Sequence, residues 1–164
     1  MNPPNPLPSR RSARRGFSLP EMLMVMVIAA ISMRIALPKI AGMRDKSNLR
    51  TAKQAVMAEI ANARAAAIRR SAVATFNLAG DSVYATTTIS GTTANVRKPI
   101  RIDRTWNVTV RVSPGGGATD NIAFDPRGFA TNLTGARVYK FTRNSTTDSI
   151  CVSRLGLIAR FCGQ

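Results

Sequence analysis

Histidine is absent from this 164-residue chain and acids are scarce, with 8 Asp and Glu against 24 Lys and Arg for a formal charge of +16. The missing histidine removes the side chain most used for proton transfer near neutral pH and a common zinc ligand. So basic a balance favours anionic partners such as nucleic acid, lipid headgroups or acidic polymers, and says nothing about fold. Cysteine occurs only as Cys151 and Cys162, too few soft ligands for a metal site. In an exported protein the two read as one disulfide, and in cytosol as two thiols. No nucleophile–base pair or phosphate loop is visible, and Gly115-Gly116-Gly117 lacks the lysine and the helix of a nucleotide site. These absences argue against an enzyme and imply neither a metal nor a cofactor.

The length suits one folded head with a short appendage. Residues 1–16 are Pro-rich and basic, with Arg10, Arg11, Arg14 and Arg15 and little to bury, and read as a leader. Residues 17–33 carry Glu21 as their only charge, and as helix would span about 25 Å, close to a bilayer core. Arg34 would extend its side chain to the far headgroups while residues 35–37 complete the crossing. The leader arginines place the N-terminus in the cytoplasm, so the head faces the periplasm. Pro38 removes a backbone donor and is expected to kink or weaken the helix.

Residues 39–72 continue as an amphipathic helix. Leu49, Ala52, Val56, Ile60, Ala63 and Ala67 fall in steps of three or four on one face, with Arg50, Lys53, Glu59, Arg64, Arg69 and Arg70 mostly elsewhere. Its many alanines favour helix and let neighbouring backbones approach closely. Beyond Ala72 the period becomes two, most clearly at Ile100, Ile102, Trp106, Val108, Val110 and Val112, and residues 73–164 read as a sheet. Shorter strands are expected at 73–78, 83–89, 122–124, 137–142 and 150–153, with turns at Gly80-Asp81, Gly115 to Gly117 and Asp125 to Gly128. Residues 150–162 read as a hairpin turning at Gly156-Leu157, which sets Cys151 opposite Cys162 within disulfide range.

Arg14-Arg15-Gly16-Phe17-Ser18-Leu19-Pro20-Glu21 followed by an apolar helix resembles the prepilin cleavage and methylation motif of type IV pilin-like proteins. The resemblance implies that a membrane prepilin peptidase cuts between Gly16 and Phe17 and methylates the new amine of Phe17. It also implies that Glu21 pairs with the Phe17 amine of a neighbouring subunit, and it matches Pro38 to the family's helix proline. A carboxylate in a membrane helix is costly without such a positive partner; the plainer role of Glu21 is to stabilise its own helix N-terminus. Residues 62–78, 122–130 and 149–160 are similar to GspH/FimT-type minor pilins and pseudopilins. The fold implied is α+β: a long N-terminal helix, its first half transmembrane, packed on an antiparallel sheet head. The implied function is a subunit of a type IV pilus or type II secretion pseudopilus, held first in the bacterial inner membrane by one span and then in the filament, with other pilins or pseudopilins as partners.

Some FimT-like members bind DNA, so DNA is a candidate partner through Arg137, Lys140, Arg143, Arg154 and Arg160, together with Arg97, Lys98, Arg101 and Arg104. The Gly-Arg-x-Arg tail of those members is replaced here by Gly156-Leu157-Ile158-Ala159-Arg160. The alternative to a pilin is a periplasmic exported binding protein with a conventional signal, since Ile28-Ala29-Ala30 offers small residues for cleavage.

Overall fold

The computed structural model describes residues 17–159, apart from the side chains of Leu37 and Pro38. The leader, Gly16, the side chain of Pro38, Arg160 and Cys162 therefore lie outside the described residues. Helix α1 runs Leu19–Arg70, and the chain divides within it into two units, Met1–Ile40 and Ala41–Gln164. Helical backbone continues through position 38.

In the first unit every described side chain is exposed, and α1 holds an 18-residue window of mean hydropathy 1.9 with none of it buried. An apolar helix bare on all sides needs lipid or other helices around it. In the second unit the expected stripe is the packing face: Leu49, Ala52, Val56, Ile60, Ala63 and Ala67 are each at most 2% exposed.

Against that face lie two sheets. The first has the order β3-β2-β1-β6, from β1 (Val73–Ala79), β2 (Ser82–Ile89), β3 (Thr92–Asn95) and β6 (Thr119–Phe124), with the short β4 (Ile100–Arg101) also on β2. The second has the order β5-β7-β8-β9, from β5 (Thr109–Ser113), β7 (Arg137–Arg143), β8 (Thr146–Val152) and β9 (Ile158–Ala159). Every pairing is antiparallel. The inward rows supply Phe76, Phe124, Tyr139, Phe141, Ile122 and Ile150 to one core with α1. Phe76 and Tyr139 meet edge to face across the two sheets at 6.0 Å, a favoured aromatic geometry. The α+β reading is borne out, as is the turn at Gly80-Asp81, where Ala79 pairs with Ser82 and Gly80 has φ +61°.

Three expectations are corrected. The alternating run from Ile100 to Val112 is not one strand, because α2 (Ile102–Trp106) interrupts it. Ile102 donates its N–H to Asp81 and is buried, while Asn107 in the left-handed region closes the turn onto Asp103. Arg104, a charge on the apolar parity, marked the break.

The terminal hairpin also turns earlier than expected, through residues 154–156 between Ser153 and Leu157. Gly156, at φ +76°, lets its N–H reach Ser153, and Ala159 takes the place opposite Cys151 that the expected register gave to Cys162. Finally, Glu59 belongs to the buried face of α1, at 1% exposure.

Candidate functional site

At the start of α1 the sequence Ser18-Leu19-Pro20-Glu21 makes the acid half of a capping box. The backbone carbonyl of Ser18 accepts the N–H groups of Glu21 at 3.1 Å and Met22 at 3.2 Å, and the Ser18 N–H faces Glu21 Oε2 at 3.5 Å. Pro20 sits in the first turn, where a missing N–H costs nothing. Glu21 thus lies one turn from the residue expected to become the free N-terminus, and Phe17 is 75% exposed. Both are available to another molecule, and the local capping bond does not use Oε1.

In the head Asp45, Asp148 and Asp120 are paired with cations. Asp45 accepts Arg143 Nε at 2.7 Å and Asn144 Nδ2 at 2.8 Å, and Arg143 also reaches the carbonyl of Trp106. The tip of the β7–β8 hairpin is thereby fastened to α1. Lys53 meets Asp148 at 2.8 Å further along the helix. Asp120 accepts Tyr139 Oη at 2.7 Å and stands 3.8 Å from Arg137.

These contacts order the titrations. Hydrogen bonds from Arg143 and then Asn144 hold the Asp45 carboxyl below the usual aspartate range. Burial pushes Asp148 up, but bonds from Lys53 and Ser149, with the charges of Lys53 and Arg50, bring it below that range as well. Burial, then the bond to Asp120, raises the Tyr139 hydroxyl far above its ordinary value. A depressed carboxyl stabilises the fold at neutral pH and loses that contribution as pH falls through its folded pKa. The melting temperature of the wild type is therefore expected to fall more steeply than that of Asp45→Asn below about pH 4, as a thermal-melt series from pH 6 to 3 would record.

Among the described residues, the expected DNA cations do not form one cluster. Arg137, Tyr139, Phe141 and Arg143 share the inward parity of β7, and both arginines are engaged with acids. Lys140 lies on the opposite face in register with Arg111, and Arg154 is exposed in the β8–β9 turn. Arg97, Lys98, Arg101 and Arg104 are all exposed around β4 and α2. The segment Asp125 to Gly128 is a turn, with Asp125 Oδ1 accepting the N–H groups of Arg127 at 3.0 Å and Phe129 at 2.8 Å.

Sequence reasoning missed Glu59, whose Oε1 accepts the Ala85 N–H at 3.0 Å. Its place between Val56 and Ile60 on the apolar stripe was the available signal.

A model for the prokaryotic N-terminal methylation motif matches residues 11–36, and the family model described as type II transport protein GspH matches residues 52–156. The chain belongs to the GspH family. Within it, the methylation motif disfavours a conventional signal cut near Ile28-Ala29-Ala30. The GspH-family fold resembles the crystal structure of the type IV minor pilin FimU of Pseudomonas aeruginosa in space group P21, with TM-score 0.59 and 17% identity, over 73% of this chain and 92% of that one. A second FimU crystal form, in space group P65, gives TM-score 0.53 at 17% identity over 67% of this chain and 90% of that one. No curated protein matches the chain. The family is one of minor pilins and pseudopilins, and membership implies processing at the methylation motif and assembly with other pilins.

Proposed function

We propose that this chain is a structural minor subunit, without catalytic activity, of a type IV pilus or a type II secretion pseudopilus. Residues 1–16 serve as the leader, 17–38 as the membrane and assembly segment, 39–72 as the helix of the head, and 73–164 as the sheet head. Prepilin peptidase cuts after Gly16 and methylates Phe17. The subunit waits in the bacterial inner membrane with its head in the periplasm, and enters the filament when Glu21 meets the Phe17 amine of a neighbour. Pro38 loosens the helix between membrane and head, and a Cys151–Cys162 disulfide ties down the tail after export.

One observation carries this reading. The fully exposed apolar first part of α1 begins at an accessible carboxylate one turn from the cleavage point, an arrangement that needs lipid first and other helices later. Mass spectrometry of the mature protein is expected to find methylated Phe17 at its start. A mature chain beginning at Ile31 overturns the reading.

A second reading, that the head binds duplex DNA, is favoured by the four exposed cations Arg97, Lys98, Arg101 and Arg104, which fall within eight residues of sequence. Changing all four to Gln should weaken low-salt DNA binding at least about tenfold and flatten its salt dependence. Filter binding over a salt series checks this, and no binding by the wild type at low salt ends it.

A further inference from the structure

Residues 19–40 of α1 hold three charged side chains, Glu21, Arg34 and Lys39. Arg34 is exposed, between Met33 at 64% and Ile35 at 62% exposure, and lies about 26 Å along the helix from Phe17. In a bilayer its long stem lets the guanidinium reach headgroups. Among the packed helices of a filament no headgroup is within reach, and an arginine buried there without a carboxylate is strongly disfavoured.

This inference rests on the assembly register proposed above, in which Glu21 lies level with residue 17 of a neighbour, a stagger of four residues. The same stagger sets Arg34 level with residue 30 of one neighbour and residue 38 of the other. In a second copy those residues are Ala30 and Pro38, and no acid stands between Glu21 and Asp45. Asp45 itself is already taken by Arg143 and Asn144.

We propose that Arg34 selects the filament neighbour: it disfavours a second copy of this chain and favours a sister pilin whose apolar helix carries a carboxylate at that level. Arg34 thereby makes the subunit one that is inserted singly among unlike helices. The carboxylate of the partner and the Arg34 guanidinium form a desolvated pair within the helix bundle, beyond the reach of salt screening.

The test places a photo-crosslinking residue at Ile35 of the full chain, expressed in its own cells. Adducts in the sheared filament fraction are then identified by mass spectrometry. Wild type is expected to link to a sister pilin with Asp or Glu within one helical turn of the Arg34 level, and rarely to itself. Arg34→Leu should lose that adduct about tenfold and gain adducts with itself, while Arg34→Lys keeps most of it. Dominant self-adducts in the wild type, or no adduct to a helix bearing such an acid, overturns the proposal. A Glu21→Gln arm separates the two ideas. If it still yields filament adducts, the register reading fails, whatever the Arg34 arms show.

Discussion

Glu21→Gln is expected to reduce this subunit in assembled filaments at least about tenfold while leaving the unfolding of the head unchanged. Glutamine keeps the shape of the side chain and can still serve a capping box, so the helix start is preserved. What it loses is the negative charge that, in the proposed register, faces the amine of a neighbouring Phe17. A hydrogen bond between charged groups is worth about 1.5–3 kcal/mol, and more where water is excluded, so removing one charge spans the tenfold threshold. Quantitative immunoblots of sheared filaments, normalised to the major subunit, measure the effect. Wild-type incorporation by the Gln variant would leave Glu21 with only its capping role and would remove the proposed assembly register.

Glu59→Ala should destabilise the head by about 2–3 kcal/mol, and Glu59→Gln by under about 1 kcal/mol. The cause is a gap in the edge of the first sheet. β2 is paired with β3 from Thr86 to Ile89 and with β4 at Ser82 and Val83. Between them Ala85 gives its carbonyl to Val96 at 2.8 Å, and its N–H would have no strand to meet. Glu59 reaches across from α1 and accepts that N–H at 3.0 Å, while Asn62 donates to its second oxygen at 3.4 Å. Alanine leaves a buried donor unsatisfied and a void beside it; glutamine retains a carbonyl acceptor. Urea unfolding followed by circular dichroism distinguishes the three proteins, and equal midpoints for Ala and Gln would refute the edge-sealing role.

The prediction for Glu59 shows where sequence and structure part. The stripe Leu49, Ala52, Val56, Ile60, Ala63 and Ala67 was legible because a 3.6-residue period survives any tertiary context in which one helix face is buried. An acid inside that stripe breaks the pattern, and pattern alone cannot supply the strand edge that makes it tolerable. The same holds for Ile100 to Val112. Alternation there arises from a short strand, one helical turn and a second strand, and only the contacts of Ile102 with Asp81 and of Asn107 with Asp103 separate them.

The charged residues divide in the same way. Arg137, Lys140 and Arg143 look like one basic group in sequence, but β-pleating sends Arg137 and Arg143 inward to Asp120 and Asp45 and leaves Lys140 outside. Cross-strand register likewise set Ala159 opposite Cys151 where spacing suggested Cys162, because the turn is centred on Leu155 and not between Gly156 and Leu157.

By itself the sequence determined the order of apolar segment, amphipathic helix and sheet, together with the methylation motif that spans Gly16, Phe17 and Glu21. Those features depend on local composition and on short fixed spacings that need no partner in space. The tertiary structure alone decided which acids hold which cations, which carboxylate seals an open strand edge, and how the strands divide into two sheets. Each of those depends on residues far apart in the chain, whose meeting is set by the packing of α1 on the sheets.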